Sequence, residues 1–167
     1  MKITIYTDGS CMRKSDGGGT YLICGYGIYF PDGEIPDVSR PLDDPLPTNN
    51  RAELTAIFEA IKLAIKFDVS NKLIKIYIYT DSQYCIKSLT EYVQKWIKNG
   101  WIASNRKPVE NQDIIKPLYE LMLRYGEKIV FVHVKAHTKG LDQESQNNAK
   151  VDQLAKNGAL MSKKYYQ

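Results

Sequence analysis

The chain has 167 residues, 43% of them hydrophobic and 25% charged, with a formal net charge of +4. A chain of that length buries roughly 70% of its unfolded surface, so one domain spanning residues 1–167 is expected to fold without disulfides or a structural metal. No stretch approaches the ~20 apolar residues that span a bilayer, and Asp8 arrives before a signal-peptide core can accumulate; an intracellular, cytoplasmic protein with no membrane segment is expected.

The first strand runs from Lys2 to Thr7, with Ile3 and Ile5 alternating against Lys2, Thr4 and Tyr6, and stops at Asp8-Gly9-Ser10. A glycine-rich loop (Asp16 to Gly19) leads to an apolar run, Tyr21 to Phe30, that ends at Pro31-Asp32-Gly33. Glu34 to Ser39 returns as a third strand, placed at an edge by Pro36. After a proline-containing connection (40–48), Leu54, Ile57, Phe58, Ile61, Ala64 and Ile65 define a helix to about Phe67, with Asn50 as its N-cap. Leu73 to Thr80, including Ile74, reads as a strand buried on both faces, and it too stops at an aspartate, Asp81. A helix from Ser82 to about Leu89 enters a stretch holding both tryptophans, Trp96 and Trp101. Within it Lys87, Lys95, Lys98, Arg106 and Lys107 oppose only Glu91, which accounts for the whole net charge of the chain. Pro117 sits inside or opens a helical segment that reaches Arg124, and Ile129 to Val134 forms the last strand. A polar loop from Thr138 to Asn147 precedes a final helix with Val151, Leu154, Ala155 and Gly158 on one face, and the Lys163–Tyr166 tail is expected to fray. Cys11, Cys24 and Cys85 are odd in number and widely spaced, and read as reduced thiols. The order of elements is α/β, antiparallel at the start and parallel afterwards.

Two strands end in near-identical text, Ile5-Tyr6-Thr7-Asp8-Gly9 and Ile78-Tyr79-Thr80-Asp81-Ser82. Ligand sites in open α/β sheets gather at the carboxyl ends of parallel strands, so neighbouring strands would bring Asp8 and Asp81 into one cleft. Glu53, in the first turn of the first helix, and Asp152, in the first turns of the last, are candidates to join them. Each has an ordinary alternative: Glu53 closes a capping box with Asn50, Asp8 and Asp81 serve as turn and cap residues, and Asp152 favours a helix dipole. Clustered carboxylates repel unless cations neutralise them, and oxygen donors without Cys or several His select Mg²⁺ or Mn²⁺. Two such ions ~4 Å apart suit phosphodiester hydrolysis.

Over essentially its whole length the sequence resembles ribonuclease H of the type I family. The resemblance rests on Tyr6-Thr7-Asp8-Gly9-Ser10, Thr48-Asn49-Asn50-Arg51-Ala52-Glu53, Tyr79-Thr80-Asp81-Ser82-Gln83-Tyr84, the Trp96 to Asn111 segment, and His137 followed by Asn148 and Asp152. It implies a free-standing, monomeric catalytic domain of ribonuclease H-like fold, with a mixed five-stranded sheet flanked by helices and a basic protrusion at about 87–111. It also implies endonucleolytic cleavage of the RNA strand of RNA/DNA hybrids, with Asp8, Glu53, Asp81 and Asp152 holding two Mg²⁺ ions, or Mn²⁺ in their place. His137 would assist proton transfer or product departure; its alternative is an exposed loop histidine, whereas His133 reads as structural. Asn49 and Asn50 would face the minor groove, Thr48 and Asn111 a DNA phosphate, and Ser10, Cys11 and Gln83 the RNA strand with its 2′-hydroxyls. Trp96, with Ser104 following, would pack on deoxyribose, while Lys95, Lys98, Arg106 and Lys107 attract phosphates; for Trp101 a packing role stands level with DNA contact. The sequence departs from the family in a long loop between His137 and Asp152 and in Leu46, where some members carry a phosphate-binding Arg. Two other readings stay open: a ribonuclease H-like enzyme acting on DNA or derived from a reverse transcriptase, and a non-catalytic hybrid-binding module.

Overall fold

Alternating apolar residues build one mixed sheet, seen in a computed structural model that describes residues 1–73, 75–137 and 139–167. Ile74 and Thr138, assigned above to a strand and a loop, lie outside the described residues. Strand β1 (Lys2–Asp16) pairs antiparallel with β2 (Gly19–Tyr29), which also pairs with the short β3 (Val38–Pro41). On its other side β1 pairs in parallel with β4 (Lys75–Thr80), and β4 with β5 (Ile129–His133). The order is β3-β2-β1-β4-β5.

Several expectations about strands change. The first strand does not stop at Thr7: its parallel pairing with β4 ends at Tyr6 opposite Tyr79, but its ladder with β2 continues to Asp16 opposite Gly19. Asp8 therefore sits where β1 and β4 part, which opens a cleft as a strand end would. The third strand begins at Val38, beyond Pro36, because its register is set by pairing Gly25 to Ile28 against Pro41 to Val38. The tail does not fray: Tyr165–Tyr166 form a sixth strand, β6, on β2, and Lys164 and the Tyr166 hydroxyl both bind Asp16, at 2.7 and 2.8 Å.

The hairpin register also sets Cys11 opposite Cys24, and the two are joined in a disulfide. This corrects the reading of three reduced thiols; Cys85 alone is free, and it is buried. Sequence spacing misled here because the pairing depends on a turn at Gly17-Gly18 that brings residues thirteen apart face to face.

Helix α1 (Asn49–Phe67) covers one face of the sheet, burying Leu54, Ile57 and Ile61 against Ile3, Ile5, Ile28, Ile76 and Ile78. Each such side chain contributes roughly 1.5–3 kcal/mol on leaving water. On β4 only Ile76, Ile78 and Thr80 are fully buried, while Tyr77 and Tyr79 remain half-exposed, so the strand is covered completely on one face only. Helix α5 (Gln143–Leu160) lies on the opposite face, where Val151 meets Tyr6 and Val134. Its first turns occupy the end of the expected polar loop, capped by Asp142, which accepts from the Ser145 amide at 3.0 Å. Contact is close because β2 offers glycines: a Cβ on Gly25 would collide with the backbone at Gly158 and Ala159.

Between β4 and β5 the chain forms α2 (Gln83–Lys87), a π turn (Ser88–Tyr92) and α3 (Val93–Asn99) in continuous sequence, so the helix expected to end at Leu89 runs on. Gly100, at φ 77°, ends it in a left-handed turn that glycine adopts without a steric penalty. After a loop comes α4 (Gln112–Tyr125), which accommodates Pro117 in its interior. Among the described residues no helix is long and apolar enough to cross a membrane.

Candidate active site

Asp8 and Asp81 are delivered by adjacent parallel strands at the point where β1 and β4 diverge. Glu53 arrives from α1, and its geometry decides between capping and chemistry. The N-cap is Thr48, not Asn50: its hydroxyl accepts from the Arg51 amide at 3.1 Å, and Asn49 and Asn50 are exposed residues of the first turn. Glu53 therefore lies two residues beyond the position a capping box requires. It is 4% exposed and points at the sheet. Gly9 makes that approach possible, since a Cβ there would come within 2.6 Å of the Glu53 nitrogen.

One carboxylate oxygen from each of Asp8, Glu53 and Asp81 lies within 4.8 Å of the others. Burial pushes the Asp8 carboxyl up to about 8, with the charge of Asp81 adding to it. Burial likewise raises Glu53 well above the usual carboxylate range, followed by the charges of Asp8 and Asp81. Asp81 is raised by burial too, an effect that the nearby His137 partly offsets. Glu53 Oε2 is buried and has no hydrogen-bond partner among the described residues. A buried acceptor left unpaired costs about 1–3 kcal/mol, and three acids packed together on low-dielectric ground oppose one another's ionisation. A hard divalent cation answers both problems, so the donor set fits such an ion.

The same cleft is lined by Ser10, Cys11, Asn49, His137 and Asp152, so eight of the expected residues converge on it. Asp152, on α5, is ion-paired with Lys156 at 2.9 Å. Lys156 also lines the cleft and was not anticipated; its position one turn after Asp152 was the available signal. His137 follows β5 on an exposed turn and adopts φ 53°, unusual for a residue with a side chain. His133, at the end of β5, is exposed rather than part of the core. The Cys11 sulfur is engaged in the disulfide, which leaves its backbone groups to meet a ligand.

The remaining expected residues are not among those lining this cleft. Gln83 is exposed at the start of α2. Asn111, in a left-handed conformation before α4, donates to the Tyr84 hydroxyl at 2.9 Å and accepts from Arg51 at 3.3 Å. Further on, Tyr92, Lys95, Trp96 and Ser104 line a second groove. Trp96 packs between Tyr92 and Trp101 in tilted pairs, with ring centroids 5.9 Å apart in each. Trp101 carries the Lys116 ammonium 4.8 Å over its ring, and both tryptophans pack against the edge of the main core. Lys98, Arg106 and Lys107 are exposed on this protrusion.

The chain matches the family model for RNase H over residues 1–160. It is 35% identical over 157 residues to a ribonuclease H of Rickettsia akari, covering 94% of this chain and 90% of that one. It is 39% identical over 136 residues to a probable ribonuclease H of Acanthamoeba polyphaga mimivirus, covering 81% and 58% of the two chains. Among solved structures it is similar to the PFV RNase H domain, with a TM-score of 0.72 at 26% identity, covering 95% of this chain and 94% of that one.

Proposed function

The chain belongs to the ribonuclease H family, and from that premise we propose that Asp8, Glu53, Asp81 and Asp152 hold two divalent cations, Mg²⁺ or Mn²⁺ in its place, for cleaving the RNA strand of RNA/DNA hybrids. The observation that carries the reading is the convergence of two buried carboxylates, Asp8 and Glu53, with the half-buried Asp81, and an unpaired Glu53 oxygen, in a cleft that also presents Asp152 and His137. When bound, such ions activate a water and stabilise the leaving oxygen. Asp8 and Glu53 form the floor of the site, fixed by strand and helix packing. Asp152 stands half-buried at the side, steadied by Lys156. His137, on its turn, moves a proton near the scissile phosphate.

Substrate selection falls to the residues around and beyond the cleft. Asn49, Asn50, Ser10, Gln83 and the backbone of Cys11 meet the minor groove and the RNA 2′-hydroxyls, the groups that distinguish RNA from DNA. Thr48 and Asn111 take a DNA phosphate. Trp96 and Ser104 receive a deoxyribose, while Lys95, Lys98, Arg106 and Lys107 draw in the backbone. A non-catalytic binding module would gain nothing from retaining buried acids that repel a phosphate chain. A monomer acting in the cytoplasm completes the proposal.

The test is a hybrid duplex labelled separately on each strand, incubated with Mg²⁺ or with chelator, beside double-stranded DNA and double-stranded RNA. RNA cleavage confined to the hybrid, abolished by chelator and by Asp81→Asn, is expected. A hybrid that is bound and left intact would remove the catalytic reading, and cleavage of DNA would replace the substrate.

A further inference from the structure

Among the described residues Arg51 is the most heavily bonded cation, and nothing in the reaction above uses it. Its side chain is 14% exposed. Nε reaches Asp44 at 2.7 Å, the two terminal nitrogens grip Asp113 at 2.9 and 2.5 Å, and one of them also donates to Asn111 Oδ1 at 3.3 Å. Two carboxylates outweigh its single charge, so Arg51 is not free to attract a phosphate. What the planar fork does supply is fixed geometry across three segments: the connection before α1, α1 itself, and the start of α4.

That geometry sets which hydrogen-bonding groups remain open. Asn111 Oδ1 accepts from Arg51, and one Nδ2 hydrogen goes to the Tyr84 hydroxyl. The group left to a ligand is the second Nδ2 hydrogen. Thr48 Oγ1 accepts from the Arg51 backbone amide, so its hydroxyl hydrogen is likewise the group left to donate. Both side chains are turned into donors for an acceptor-only partner such as a phosphodiester oxygen.

We propose that Arg51 is a positioning residue that, braced by Asp44 and Asp113, fixes the Asn111 amide as a donor and so creates the point where one phosphate of the DNA strand is held. The inference rests on the reading of Thr48 and Asn111 given above. It explains how this chain manages with Leu46, exposed and uncharged, just before that point: the contact is neutral and depends on orientation instead of charge.

The test is binding of the intact protein, in chelator so that nothing is cut, to a set of hybrids each carrying one neutral methylphosphonate linkage in the DNA strand. Wild type is expected to lose about tenfold in affinity at one linkage, and Asn111→Ala to erase that sensitivity. Arg51→Gln and Arg51→Lys are both expected to erase it at the same linkage, because lysine keeps the charge without the fork. Sensitivity at every other linkage should stay as in wild type, which general damage to the fold would not produce. Should the Arg51 variants fail to melt cooperatively, Asp113→Ala, at an exposed side chain that grips the fork, is expected to reduce the sensitivity at the same linkage, and a folded Asp113→Ala protein as sensitive there as wild type would overturn the role of the braced Arg51. A sensitive linkage that Asn111→Ala erases but the folded Arg51 variants retain would overturn the role of Arg51 alone. A wild-type protein indifferent to every linkage would overturn the phosphate reading, and this inference with it.

Discussion

Replacing Asp8 by asparagine should make the metal-free protein more stable. In the folded chain Asp8 keeps its proton up to about pH 8, against 3.8 for a free carboxyl. The sign follows from linkage: a carboxyl held more tightly protonated in the native state favours folding least when the unfolded state has released its proton. Its contribution is intact below pH 3.8 and declines as pH rises towards 8. At 1.36 kcal/mol per pH unit, the ceiling on that decline is on the order of 6 kcal/mol. Asparagine retains an oxygen for the Gly9 amide, which Asp8 accepts at 3.0 Å, and removes the charge facing Glu53 and Asp81. A net gain of about 2 kcal/mol is expected at pH 8 in chelator, which raises the melting temperature by about 4–8 °C in a domain of this size. The gain should shrink towards zero at pH 4, and Mg²⁺ should stabilise wild type far more than the variant. An Asp8→Asn protein that melts at or below wild type at pH 8, or whose gain does not depend on pH, would refute the description of the site as a set of mutually repelling buried acids.

Reduction of the Cys11–Cys24 bridge, which closes a loop of thirteen residues, should cost about 2–3 kcal/mol, read from urea unfolding with and without a thiol reductant. Gly25→Ala should cost more than about 3 kcal/mol, because the new Cβ meets helix backbone that cannot move aside; an unchanged melting curve would contradict the packing of α5 on β2. His137→Ala should lower kcat about a hundredfold while Mg²⁺ binding, measured by calorimetry, stays as in wild type. Neutralising Lys95, Lys98, Arg106 and Lys107 together should flatten the dependence of log affinity on log salt by about 3, and a slope unchanged from wild type would detach the protrusion from the substrate.

Much of the site was legible because its parts are local. The repeated Tyr-Thr-Asp text marked Asp8 and Asp81, and helical periodicity placed Glu53 at the start of α1. What could not be read was set by partners distant in sequence. The continuation of β1 past Asp8, the disulfide and the shift of β3 all follow from the β2 register, which one strand alone does not reveal. The sixth strand depends on Lys164 and Tyr166 finding Asp16, nearly the whole chain away. The cap at Thr48 was misplaced by two residues because Asn49 and Asn50 also suit that position, and the correction freed Glu53 from capping. Arg51 looked like part of a motif until Asp44 and Asp113 showed how it is held.

The central claim, that four carboxylates gather two divalent ions at the RNA strand of a hybrid, is tested most directly by anomalous diffraction from crystals of the protein bound to an RNA/DNA hybrid and soaked in Mn²⁺. Two anomalous peaks among Asp8, Glu53, Asp81 and Asp152, beside a phosphate of the RNA strand, are expected. No peak there, or a site facing the DNA strand, would contradict it.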